Sequence, residues 1–277
     1  MRVTSLGLAT ELALADTRGK VIDRGDCLVI ETPDDPGYYY GNVLVLPEPP
    51  RTGEVAHWRQ RFDAELGTNT EIRHVTFVWD GIADDAGAVG ELEAAGFVLE
   101  HTQVMVAAAM SPRHVDADLR LLAPDEITTD LAWAIADRHD ESYRRFLSRR
   151  ASWHRDLVAR GTARFWGAFV DGELVASLGL VDLAAGGAAW SGPLARHARY
   201  QDVQTATQHR KRGLASALLA VSAVDAFARG IAGVVIVAAP ASEAASVYER
   251  AGFATVERTV SACLYPVSDP RRPMTES

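Results

Sequence analysis

Cysteine is scarce in this chain, with only Cys27 and Cys263 among 277 residues. They stand far apart and outside any C-x-x-C spacing. This excludes a disulfide framework and a cysteine-based zinc site, and leaves two buried free thiols as the expectation. No apolar run approaches the roughly 18 residues that cross a bilayer, so no membrane partner is expected. The stretch Met1–Lys20 is broken by Glu11 and Asp16, and no cleavage-like site follows it. It reads as mature protein, a strand then a helix, in a reducing cytoplasm. His57, His74, His101, His114, His139 and His154 show no metal-ligand spacing, and no metal is expected. Positive charge is also short, with 28 Lys+Arg against 37 Asp+Glu and a formal charge of −9. That balance argues against a nucleic-acid partner, although a local basic patch is compatible with it. The remaining composition, 48% hydrophobic and 23% charged, excludes disordered and collagen-like chains. The length allows one large or two modest domains.

What is present falls into two halves that echo each other. Ile72–Trp79 is a β-rich apolar run, Ala86–Ala95 favours helix, Gly96 stops it, and a strand follows from Val98. Near the end, Gly233–Ala238 is a strand and Ser242–Ala251 a helix with Ser242 as N-cap. Gly252 is the stop there, and Thr255–Tyr265 is the next strand. Glu91–Phe97 (ELEAAGF) lies over Val247–Phe253 (VYERAGF) without a gap. The shared order, more than the shared Ala-Gly-Phe, points to an internal duplication. The join is placed near Met110–Asp116, giving domains 1–112 and 113–277. Within the second, Asp118–Leu122 reads as a short strand and Ile127–Arg150 as two helices. Arg138, His139, Asp140, Glu141 and Arg144 there form a charged, solvated helix face. Ala163–Val170 and Glu173–Leu183 form a hairpin around Asp171-Gly172. Ala198–Thr207 is a strand and Gly213–Arg229 an amphipathic helix. The fold class is α/β (α+β).

The chemistry concentrates in Gln208–Ala215 (QHRKRGLA), where a strand turns into a helix. The first amides of a helix have no internal partner and its dipole is positive at that end, so a phosphate is well held there. His209, Arg210, Lys211 and Arg212 add charge, Gly213 permits close approach, and small Ala215 leaves the space open. Neither G-x-x-x-x-G-K-[ST] nor G-x-G-x-x-G occurs, which excludes the ATP-type loop and the dinucleotide fingerprint.

Arg210-Lys211-Arg212-Gly213-Leu214-Ala215 resembles the R-x-x-G-x-G/A acyl-CoA signature of the GNAT superfamily of N-acyltransferases. The surrounding strand–helix–strand–helix order over Asp118–Pro266 is similar as well. The resemblance implies two GNAT-like domains, each a mixed, mostly antiparallel sheet flanked by helices. It implies acetyl-CoA as cosubstrate, its pyrophosphate on the amides around Arg212–Ala215. The pantetheine arm would then lie between splayed strands, against the main chain at Val203 and Thr205. It also implies a catalytic role for Tyr248, whose hydroxyl would protonate the departing thiolate. The acceptor is expected to be a small-molecule or peptide amine, attacking the thioester directly in a ternary complex. A non-catalytic acyl-CoA sensor is the other reading. The protein would be a monomer or a homodimer.

Two departures stand out. Ala238-Ala239-Pro240-Ala241 lacks the Asn common in relatives after the second strand. The strand before the signature offers Asp202, with Tyr200 and Gln204 on the same face, as the one titratable base candidate near neutral pH, with water as a substitute and His197 and Asp182 as weaker options. The first half lacks a phosphate turn of its own. Pro47, Pro49 and Pro50 carry no N–H, Glu48 repels phosphate, and Leu92 stands where Tyr248 stands later. It reads as a degenerate supporting domain, with Tyr38, Tyr39, Tyr40 and Trp58 as possible pocket or packing aromatics.

Overall fold

The computed structural model describes residues 1–128, 141–183, 196–267 and 269. It divides into two compact units. Among the described residues, unit 1 holds Met1–Val104 and the segment from Glu257 onward, and unit 2 the residues between Met105 and Val256. Both are α/β, with mostly antiparallel strands flanked by helices.

Unit 1 begins with α1 (Leu6–Asp16), capped by the Ser5 hydroxyl, which accepts from the Leu8 N–H. The expected N-terminal strand does not form. Asp80 takes the N–H groups of Thr4 and Ser5 at 2.7 and 2.8 Å, and Glu257 takes those of Leu6 and Gly7 at 2.7 and 3.0 Å. Asp80 thus holds the amides just ahead of the helix, and Glu257 caps the open first-turn amides of α1. The sheet runs β1 (Lys20–Asp23), β2 (Leu28–Glu31), β3 (Val43–Leu46), β4 (Val75–Trp79) and the chain's last strand, β11 (Ala254–Leu264). β3 and β4 are parallel and joined by α2 (Val55–Leu66). The other pairs in this run are antiparallel. The apolar face of α2 (Val55, Phe62, Leu66) packs on Leu44, Phe77 and Trp79, with Val260 and Ala262 of β11 in the same core.

Late in the first segment of unit 1, α3 (Val89–Ala94) leads into β5 (Val98–Ala107), whose last residues, Met105 and Ala107, belong to the core of unit 2. Unit 2 then has β6 (Asp118–Leu121), α4 (Glu141–Ala159), β7 (Ala163–Val170), β8 (Glu173–Asp182), β9 (His197–Thr205), α5 (Leu214–Ala228), β10 (Gly233–Ala238) and α6 (Glu243–Ala251). The β7–β8 hairpin turns at Asp171-Gly172, both with positive φ, as the Asp-Gly pair predicts. β9 and β10 are parallel, and α5 joins them. Its face of Leu214, Leu218, Leu219, Ala223 and Ala226 fills the core with Tyr200, Val234 and Ile236.

Two helices end in the same way. After α3, Gly96 (φ +85°) and Phe97 donate to Glu93 and Leu92. After α6, Gly252 (φ +109°) and Phe253 donate to Glu249 and Tyr248. This is one closing motif, needing glycine for its left-handed residue and repeated at the same offset. Of the two helices expected over Ile127–Arg150, the second is α4, and a single 3-10 turn covers Glu126–Thr128. Arg138, His139 and Asp140 lie outside the described residues.

Candidate functional site

The site of unit 2 is built where two strands part. β10 pairs with β9 from Gly233 opposite His197 to Val235 opposite Arg199, and the ladder stops there although both strands run on. On its other side β9 also breaks register. Gly179 of β8 faces Gln201, but Ser177 faces Gln204, so β9 carries one extra residue. Asp202 takes up that residue with φ +48°, a β-bulge that bends the strand and leaves backbone groups outside the ladder. The segment Val203–Thr205 therefore borders an opening.

Past β9, a 3-10 turn at Thr207–His209 and two left-handed residues, Lys211 (φ +62°) and Gly213 (φ +80°), swing the chain into α5. Gly213 caps the helix with no side-chain bond, and its carbonyl accepts from Ala217 at 3.0 Å. The amides of Leu214, Ala215 and Ser216 have no acceptor inside the helix by its geometry. A Cβ built on Gly213 would meet only Val115 Cγ1, at 3.6 Å, so the cradle is open.

These elements frame a cavity of about 870 Å³. Val203, Thr205, Arg210, Lys211, Gly213, Leu214 and Ala215 all line it, as does Tyr248 from α6. The helix α6 is set by Ser242, whose hydroxyl accepts from Ala245 at 3.1 Å, and Tyr248 projects from its inner face, 8% exposed against Phe253. Burial pushes the Tyr248 phenol up from its ordinary value of 10.0, so it holds its proton through the neutral range.

Two expected residues are placed elsewhere. Arg212 does not line the cavity, and its Nη1 lies 2.7 Å from His209 Nδ1. Asp202 does not line it either, because its Oδ2 accepts from Arg150 Nε at 2.6 Å and stands 3.4 Å from His154 Nε2. Of the weaker options, Asp182 is tied to Arg229. Sequence reasoning missed Arg113 and Arg250, which line the cavity's rim, with Arg113 Nη2 donating to the Arg250 carbonyl at 2.5 Å. Arg113 lies in the polar Met110–Asp116 join and Arg250 two residues past Tyr248. Neither spacing marks them as cavity residues. With Arg210 and Lys211 they give four formal cations from three elements, against one carboxylate, Glu243.

The matching place in unit 1 is furnished differently. There the N–H of Gly53, ahead of α2, donates to Glu91 at 2.6 Å, Glu48 pairs with Arg51, and Leu92 is fully buried. The tyrosines of unit 1 are engaged in packing. Tyr40 and Tyr265 both bond Glu100, the Tyr39 ring lies tilted against His74 at 4.7 Å, and Arg18 lies over Tyr38 at 4.2 Å. Among the described residues no group of three or more His, Cys, Asp or Glu could hold a metal ion, and no described helix is long and apolar enough to cross a membrane.

A parallel strand pair that parts over a cationic, glycine-turned helix N-terminus, with a protonated phenol on the facing helix, suits an elongated ligand carrying phosphates at one end. Residues 125–256 match the family described as an acetyltransferase (GNAT) domain. Solved structures agree in fold. A functionally unknown conserved protein from Staphylococcus epidermidis is 14% identical, with a TM-score of 0.65 over 88% of this chain and 93% of its own. A GCN5-related N-acetyltransferase from Kribbella flavida is 16% identical, with a TM-score of 0.60 over 94% and 96%. A tandem GNAT protein from the clavulanic acid biosynthesis pathway is 17% identical, with a TM-score of 0.51 over 82% and 76%. No relative is found among curated proteins.

Proposed function

We propose that the protein is an acetyl-CoA-dependent N-acetyltransferase whose acceptor is a primary amine. The observation that carries this is the cavity of unit 2. It combines open amides at the α5 N-terminus, four cations, a parted β9–β10 pair and the Tyr248 hydroxyl in one space. The pyrophosphate would rest on Gly213–Ala215 with Arg210 and Lys211 beside it. The pantetheine arm would follow the main chain of Val203–Thr205 into the opening. The amine attacks the thioester carbonyl directly, and backbone N–H groups of the bulged strand stabilise the oxyanion, since preorganised dipoles aimed at developing charge are usually the largest catalytic contribution. As the C–S bond breaks, Tyr248 donates its proton to the sulfur. The ammonium proton passes to water at the cavity mouth, because the Asp202 carboxylate already accepts from Arg150. Unit 1 supports this unit without binding cosubstrate, a reading favoured by the Glu91 carboxylate on Gly53 where a phosphate would need that amide.

Free-thiol release from acetyl-CoA, followed across a panel of amines and N-terminal peptides, tests this. At least one amine should raise release well above the level with acetyl-CoA alone. Saturable binding with no amine-dependent release would instead mark a CoA-binding sensor.

A further inference from the structure

Asp202 sits in a backbone conformation that non-glycine residues seldom adopt, although aspartate tolerates it better than most. Such a residue persists only where its surroundings over-determine it. Here the surroundings are one face of α4. Arg150 and His154 are four residues apart, hence neighbours on that face. Both address the same carboxylate oxygen, Arg150 Nε at 2.6 Å and His154 Nε2 at 3.4 Å. Arg150 Nη2 also lies 3.5 Å from Gln201 Oε1, and Gln201 Nε2 donates to the Tyr200 carbonyl at 2.8 Å. His154 is 4% exposed, its ring 4.6 Å from Phe165 of β7, so the gripping face is itself fixed.

We infer that Arg150, His154 and Asp202 form a lock that holds the β9 bulge, and that Asp202 is a positioning residue for the amides of Val203–Thr205. A strand shifted by one residue turns every following side chain and amide to the other face. Three of the next residues, Val203, Gln204 and Thr205, line the cavity. Keeping the extra residue at Asp202 therefore decides which amides meet the thioester arm. The lock is a property of unit 2 by itself. Only its kinetic consequence rests on the transferase reading.

The test compares Asp202→Asn, Asp202→Ala and Arg150→Ala with the unaltered chain. Asparagine keeps an acceptor oxygen for Arg150 but cannot take a proton at neutral pH, so it separates holding from proton transfer. Deuterium uptake of the 197–207 peptide, measured without ligand, should rise in Asp202→Ala and Arg150→Ala and stay unchanged in Asp202→Asn, with β6–β7 peptides as the control for global unfolding. In turnover, Asp202→Asn should stay within about threefold of the unaltered chain. The two alanine variants should lose about tenfold or more in kcat while KM for acetyl-CoA moves less than about threefold. Unchanged uptake in Arg150→Ala overturns the lock. An Asp202→Asn variant with normal uptake but the turnover loss of Asp202→Ala would make Asp202 the base and overturn the positioning role. If no chain turns over any amine, the transferase reading fails, and the uptake comparison still decides the lock.

Discussion

Tyr248 shows what a single residue contributes here. Its hydroxyl makes no hydrogen bond among the described residues, it faces the cavity, and burial raises its proton affinity. Tyr248→Phe should lower kcat by about a hundredfold, within the usual range for a lost general acid, and leave acetyl-CoA affinity nearly unchanged. Rapid-mixing thiol release and calorimetry read the two halves of that statement. Because the folded phenol titrates above 10.0, the donor-competent form persists through neutral pH, and any loss of rate from its ionisation should begin only above that value. Gly213 was legible in the sequence because it stands at a helix entrance, whereas Tyr248 was singled out only through the resemblance of its segment to a known family. The partner of Asp202 was not legible, because Arg150 is 52 residues away, and alternation along a strand says which face a residue takes but not which long side chain reaches it. Arg113 and Arg250 escaped notice for the same reason. Their meeting depends on where the segment after β5 passes the end of α6.

Among the elements, the proposed binding rests most on the entrance to α5. Gly213→Ala adds a Cβ with room to spare, so its cost is that of the left-handed backbone, about 1–2 kcal/mol. Chemical denaturation should show a loss of that size, and acetyl-CoA affinity should fall as the turn relaxes. Helix α5 was legible almost residue for residue, because its apolar positions recur with helical period after the Gly213 entry. The N-terminal strand was misread because a partly apolar stretch does not reveal that a distant carboxylate, Asp80, holds the amides of Thr4 and Ser5 while Glu257 caps the helix behind them. Glu257→Gln weakens three such contacts, to Ser5, Leu6 and Gly7, and should cost roughly 1–3 kcal/mol in the stability of unit 1. Melts of the variant, compared with deuterium uptake across α1, check this.

The chain as a whole is acidic yet concentrates cations around one cavity. The shared closing motif of α3 and α6 was legible because Ala-Gly-Phe recurs at both helix ends. Less legible was the membership of β11, the chain's last strand, which pairs with β4 and shares the core of unit 1. Strand pairing across such a separation leaves no local mark on sequence. Unit 1 carries its own pH dependence. His74, 2% exposed, is pushed down by burial from 6.5 to about 4. The unfolded chain thus binds a proton that the folded one refuses. Stability is fully present above pH 6.5 and is lost as pH falls through about 4, by roughly 3 kcal/mol in total. Urea titrations at falling pH should show that slope, and His74→Gln should flatten it. The central claim concerns ligand and place together: one acetyl-CoA per chain, held in the cavity of unit 2. Isothermal titration of the full chain with acetyl-CoA tests it most directly. The expected result is saturable binding at one site, weakened about tenfold or more when Arg113 and Arg250 are both replaced by alanine. No saturable heat, or two sites per chain, would contradict it.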